Sequence, residues 1–250
     1  MSFVLLTAFG VGGATIVGAI VGFLFKNISH KFNDIILGFA SGIMLAAAVV
    51  GLIMPSITSE PISILITVCG IFCGAIVLNV IDKIVPHLHR MADKDIEEHK
   101  ASQERIDKLL LFVLAIAMHN FPEGIAAGVG FGSENHAQAL TIAGGIALQN
   151  IPEGMVIIAP MLSAGISKSK TFVIAAATGL IEVLGTLLGY FAVNISTAIL
   201  PFTLAFAGGT MLYIISDEMI PETHSHGNER SSTFALLVGF SAMLVMDFFL

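Results

Sequence analysis

His119-Asn120-Phe121-Pro122-Glu123-Gly124 and Gln149-Asn150-Ile151-Pro152-Glu153-Gly154 are near-copies of one polar insert, 30 positions apart, each set in an otherwise apolar run. Ionisable groups at bilayer depth are costly and are kept for function. Two copies with glutamate in register therefore point to a pathway for a metal cation through a membrane.

The membrane assignment rests on composition and run length. The 250 residues are 56% hydrophobic and 12% charged, with a mean hydropathy of +0.92, whereas charged residues make up roughly 25% of a soluble domain. Runs of about 20 apolar residues, the length that crosses the hydrocarbon core, occur at 3-25, 34-54, 62-82, 109-131, 138-161, 171-193, 198-220 and 233-250. These eight predicted helices fill most of the chain, so 1-250 reads as a single all-α transmembrane domain with one longer loop at 83-108. The apolar run from Phe3 to Phe25 has no basic stretch before it and reads as a first spanning helix, not a cleaved leader.

Basic residues collect on the cytoplasmic side of short loops. All 11 Lys and Arg fall in or beside alternate connections: Lys26 and Lys31; Lys83, Arg90, Lys94, Lys100, Arg105 and Lys108; Lys168 and Lys170; Arg230. That parity supports eight segments and predicts both termini outside, with 83-108 a cytoplasmic loop.

The inserts hold the chemistry. On a helix, residues four apart share a face at about 5 to 6 Å between Cβ atoms. His119 and Glu123 can thus reach one ion, as can Gln149 and Glu153, and Asn120 and Asn150 lie on the same faces. The short connection 132-137 should place the two helices side by side. One imidazole, carboxylates and amide oxygens suit divalent zinc, iron, manganese or cadmium, and the lack of thiolates argues against a very tight trap. Pro122 and Pro152 each remove a backbone donor and free the carbonyls of Met118 and Leu148. A widened, partly hydrated helix is expected there, as such irregularity survives in lipid only where protein or a wet cavity covers it.

Glu182 adds a third carboxylate in an apolar stretch, and no Lys or Arg lies in the predicted interior to neutralise it. A cation is then the expected partner, and three carboxylates suffice for two adjacent divalent ions. Met44 offers a thioether that can cap a site, although a methionine on an apolar helix is ordinarily core. Cys69 and Cys73 read as packing residues, being poorly spaced for a disulfide within one helix. Small-xxx-small glycine spacings, such as Gly18/Gly22 and Gly38/Gly42, read as close helix packing. His87, His89 and His99 lie in the polar loop, whose plain reading is a solvated segment; weak metal reception there is the alternative. The same choice applies to Glu222, His224 and His226.

The paired motifs on the fourth and fifth of eight helices resemble the ZIP family of Zrt/Irt-like divalent metal transporters, in particular its GufA-like bacterial branch. The resemblance implies eight transmembrane helices in a 3+2+3 arrangement with inverted repeats, usually dimeric, in a bacterial-type inner membrane. It implies a binuclear site: one metal at His119, Glu123, Gln149 and Glu153 with Met44 nearby, and a second at Asn120, Glu123, Asn150, Glu153 and Glu182. Asp217 and Glu218 fall where the family releases metal. The family's alternating access is thought to move helices 1, 4, 5 and 6 against 2, 3, 7 and 8. The implied cargo is zinc or a related divalent cation, carried inward without a catalytic cofactor, so the chain is not expected to be an enzyme. Many relatives start the second motif with His followed by Asn or Asp; neutral Gln149 and Asn150 should weaken binding and relax selectivity.

Other classes fit less well. An intramembrane metalloprotease would show His-Glu-x-x-His, which is absent, and there is no nucleotide-binding motif or sign of a nucleic-acid partner. A cation-efflux carrier stays open, because static ligands carry no direction.

Overall fold

The structure, a computed structural model, describes residues 2–24, 29–58, 63–84, 117, 120–131, 136–163, 165–195 and 197–249. The helices are α1 (Ser2–Leu24), α2 (His30–Thr58), α3 (Ser63–Ile84), α4 (120–130), α5 (His136–Ser163), α6 (Lys168–Ile195), α7 (Leu200–His224) and α8 (Glu229–Phe249). All but α4 are long and apolar enough over their described residues to cross a membrane. Most run a few residues beyond the apolar runs, because a helix continues past the hydrocarbon until a cap stops it. Ser29 begins α2 by accepting the Phe32 N–H at 3.2 Å. Gly165, at φ 83°, ends α5 in a reversal where the Ile166 N–H reaches the Met161 carbonyl at 3.1 Å, the left-handed stop that glycine supplies without strain. The loop 83-108, with His87, His89 and His99, lies outside the described residues apart from its first two, which end α3.

Prolines shape two helices in an unforeseen way. The expected widening at Pro152 does not occur: α5 stays α-helical through it, as does α4 through Pro122. Widened π turns appear instead at Ala47–Ile53 in α2 and Ile215–Met219 in α7, just before Pro55 and Pro221. There the Met54 N–H bonds the Val49 carbonyl and the Ile220 N–H that of Ile215, five residues back. Only five residues, Met54–Thr58 and Ile220–His224, follow each π turn. A register change so near a helix end disturbs few bonds. Pro152 has about three more turns of helix after it, so its missing donor is absorbed without a shift.

Packing divides the helices into two sets. Within α1, α4, α5 and α6, most glycines meet backbone: Gly18 lies on the Ile151 carbonyl, and a Cβ on Gly185 would lie 2.5 Å from the carbonyl of Phe121. Within α2, α3, α7 and α8 most glycines do the same, with Gly38 against the Ser232 carbonyl at 2.6 Å and Gly70 against that of Phe202 at 2.9 Å, while Gly208 meets Ile53 Cγ1 at 2.7 Å. Between the sets, glycines face side-chain ends: Gly51 meets Ile142 Cγ1 at 2.8 Å and Gly145 meets Met243 Sδ at 2.6 Å. Backbone cannot yield to an added methyl, whereas an isoleucine or methionine tip can.

Cys69 and Cys73 are free thiols on the exposed face of α3, not in packing. Their neighbours Val68, Phe72 and Ile76 are exposed too, so this outward face is apolar.

Gly38→Ala should lower the melting temperature in detergent, by the equivalent of about 1–3 kcal/mol for overpacking. Gly13→Ala, with nothing within 4 Å of its new methyl, should be neutral or raise stability through helix propensity, by up to about 1 kcal/mol. Thermal melts of both check it; equal effects would refute the backbone-contact account.

Candidate metal centre

α4 and α5 run side by side, joined near their connection where Gly130 faces Ala139 and Ile142. Deeper in the bundle the two inserts meet: Gln149 donates its Nε2–H to Glu123 Oε1 at 2.7 Å. α6 approaches α4 because Gly124 and Gly128 lie on the backbone of Glu182 and Thr186. Glu182 is thereby brought to the inserts, and Asn150 donates to its Oε1. Asn120, Glu123, Gln149, Asn150 and Glu182 are all fully buried. Glu153, one turn beyond Gln149, is half-buried on the same helix.

The donor set is an oxygen cradle with open valences. Asn120 Oδ1, Glu123 Oε2, Gln149 Oε1 and Asn150 Oδ1 are buried and accept no hydrogen bond. A buried polar oxygen without a donor is expensive, and most native ones are satisfied. Four such oxygens on two adjacent helices suit a hard or borderline divalent cation. Among the described residues, no three of His, Cys, Asp and Glu converge closely enough to hold an ion by themselves. The imidazole of His119 lies outside the described residues.

The remaining sequence candidates separate. Met44 is fully buried in the apolar cluster it shares with Ile142 and Ile146 of α5, one turn before Gln149. Asp217 and Glu218 sit on the π turn of α7, the first exposed and the second half-buried. His224 is exposed, while His226 is tied into the fold: its Nδ1 lies 3.0 Å from Asp34 Oδ1, and Asn228 donates to Asp34 Oδ2 at 2.8 Å. The His30 ring stacks on His226 at 4.4 Å. These contacts hold His226 in the fold, whereas the plain reading of the sequence is a solvated segment.

Two residues of α1 at the cradle escaped the sequence reading. Thr15 donates its hydroxyl to Glu182 Oε2 at 3.3 Å, and the Val11 carbonyl accepts from Asn150 at 3.2 Å. A lone threonine in an apolar helix carries no motif, so only the fold reveals it.

The chain matches the family model described as ZIP Zinc transporter over residues 86–247. It is 37% identical over 243 residues to "Zinc transporter GufA" of Myxococcus xanthus, covering 94% of each chain. It is 32% identical over 250 residues to "Zinc transporter ZIPB" of Bordetella bronchiseptica, covering 94% of this chain and 77% of that one. Identity to "Zinc transporter ZupT" of Chlorobaculum parvum is 34% over 248 residues, covering 94% and 92%.

Buried carboxylates such as Glu123 and Glu182 should destabilise the protein when no cation is supplied. Glu123→Gln keeps an acceptor for Gln149 and removes one charge. In chelator it should melt a few degrees above wild type, and added divalent ion should no longer raise its melting temperature. A variant that melts no higher and still responds to the ion would contradict this.

Proposed function

The chain belongs to the ZIP family of zinc transporters, and from that premise we infer that it is a multi-pass membrane protein carrying zinc and related divalent cations, iron, manganese and cadmium included, across the bilayer. The observation that carries the reading is the set of four buried oxygens without donors, framed by the buried carboxylates of Glu123 and Glu182. It is a transporter and not an enzyme, which sets aside the protease.

We propose the finer assignments on the same grounds. One ion is held by His119, Glu123, Gln149 and Glu153 with Met44 beside it, and a second by Asn120, Glu123, Asn150, Glu153 and Glu182. Asp217 and Glu218 receive the ion on release, and transport runs into the cytoplasm, with both termini outside a bacterial inner membrane on the charge parity of the loops. The bundle is read as eight spanning helices in a 3+2+3 order with inverted repeats. Two correspondences support that: α2 and α7 each carry a π turn before a proline, and the pairing of α2 with α8 is mirrored by that of α7 with α3. A homodimer is proposed, for which the exposed apolar faces of α3 and α8 offer surface.

The two packing sets give a route for alternating access. α1, α4, α5 and α6 are locked by glycine-to-backbone contacts and carry nearly all the proposed ligands, while α2, α3, α7 and α8 form a second locked body. The seam between them, lined by Ile43, Ile142, Met243 and Met246, lets one body move past the other. Coordination needs neutral imidazole and ionised carboxylates, so protons compete with the ion.

Uptake of a panel of divalent ions into proteoliposomes, measured in both directions, tests the function. Zinc entry is expected, and impermeability to every divalent ion would overturn the reading. Glu123→Ala and Glu153→Ala should abolish uptake, while Asn150→Ala, which removes a ligand from one site only, should retain part of it; equal loss in all three would refute the two-site assignment. Gly145→Ile, pressing on Met243 at the seam, should slow turnover while zinc affinity stays near wild type.

A further inference from the structure

α1 carries no ionisable residue in its span, yet it reaches the centre of the cradle. Close glycine contacts put it there: Gly154 of α5 lies on the Thr15 carbonyl, and Gly179 of α6 lies on that of Gly12, so that a methyl added at Gly179 would stand 3.5 Å from Thr15 Cβ. Thr15 is fully buried where α1, α5 and α6 meet. Its hydroxyl points at Glu182 Oε2, 3.3 Å away, while Asn150 holds Glu182 Oε1 and anchors itself to the Val11 carbonyl at 3.2 Å. Both oxygens of Glu182 are thus engaged by neutral donors, whereas Glu123 keeps Oε2 open.

We propose that Thr15 is a positioning residue for metal transport: its hydroxyl, with Asn150, fixes the carboxylate plane of Glu182 so that this side of the cradle is set before an ion arrives. The proposal rests on the reading of Glu182 as a ligand. A carboxylate oxygen has two lone pairs, so Oε2 can keep the Thr15 hydrogen bond while facing a cation. Hydrogen bonds to a ligating carboxylate orient it and hold it against its own rotamer freedom, and losing such a partner costs roughly 10–100-fold in metal affinity. Val11 and Thr15 belong to the same turn of α1, so the contact also joins that helix to the site. Any tilt of α1 against α6 would be felt at Glu182.

Thr15→Val keeps the shape and removes the donor. It should raise the apparent KM for zinc in proteoliposome uptake by about ten-fold, the lower end of that range, with Vmax changed far less. Thr15→Ser, retaining the hydroxyl, should return KM to near the wild-type value. A packing role predicts the reverse, with Val tolerated and Ser impaired, and that result would overturn the proposal. Pairing each variant with Glu182→Gln separates the two readings. If Glu182→Gln alone leaves zinc affinity unchanged, the ligand assignment of Glu182 fails. If Glu182→Gln weakens binding and Thr15→Val adds a further full ten-fold on top of it, Thr15 acts elsewhere and the positioning role fails; non-additivity is the expected outcome.

Discussion

Carboxylates in the interior of a membrane protein, with no Lys or Arg paired to them among the described residues, are the constraint around which the rest is built. Removing a charge from water costs several kcal/mol even after relaxation, and Glu123 and Glu182 are fully buried. The fold meets part of that cost with amide and hydroxyl donors: Gln149 to Glu123, Asn150 and Thr15 to Glu182. It leaves the rest unmet, as the open oxygens of Asn120, Glu123, Gln149 and Asn150 show. A carrier requires that imbalance. Complete satisfaction by protein donors would remove the drive to take up an ion, and complete exposure to water would make the site nonselective.

The same requirement explains where the glycines stand. Bringing carboxylates from α4, α5 and α6 to one place needs backbones closer than ordinary side chains allow, and Gly124, Gly128, Gly154 and Gly179 provide that approach. In lipid, where apolar surface gains little from leaving its surroundings, close packing of small residues is the main source of helix cohesion. Cohesion is therefore strong where glycine meets backbone and weaker where Gly51 and Gly145 meet the flexible ends of Ile142 and Met243. One residue type thus stiffens each body and leaves the boundary between them compliant.

Much of this was legible in the chain. Run length and composition gave a polytopic all-helical protein, and the structure adds the helix ends that caps decide. The two inserts announced Glu123, Gln149, Asn150 and Glu153, and the lone acid Glu182 could be found because nothing else in its stretch is charged. Thr15 and Val11 could not, since a hydroxyl and a carbonyl in an apolar helix acquire meaning only from what packs on them. The π turns were misplaced for a related reason. Every internal proline removes the same donor, but the cost of a register shift depends on how much helix follows, which is small after Pro55 and Pro221 and larger after Pro152. Asp34, at the edge of a predicted span, is fully buried against His226 and Asn228 from the other end of the chain. No local pattern encodes that tie.

The amides at 149 and 150 answer a demand that neither imidazole nor carboxylate meets. Each amide offers two donors and an oxygen on one side chain. In this structure the nitrogen faces a glutamate and the oxygen is open, so under the proposed ligand assignment a single group both restrains a carboxylate and offers a ligand atom. A carboxylate at Asn150 would place a further negative charge against Glu182 with no donor to hold it. An imidazole at Gln149 would give either a donor or an acceptor toward Glu123 according to its protonation, making the restraint depend on pH. The amide does both at any pH, at the expense of weaker coordination, and a site that must release its ion as readily as it captures it gains from that exchange.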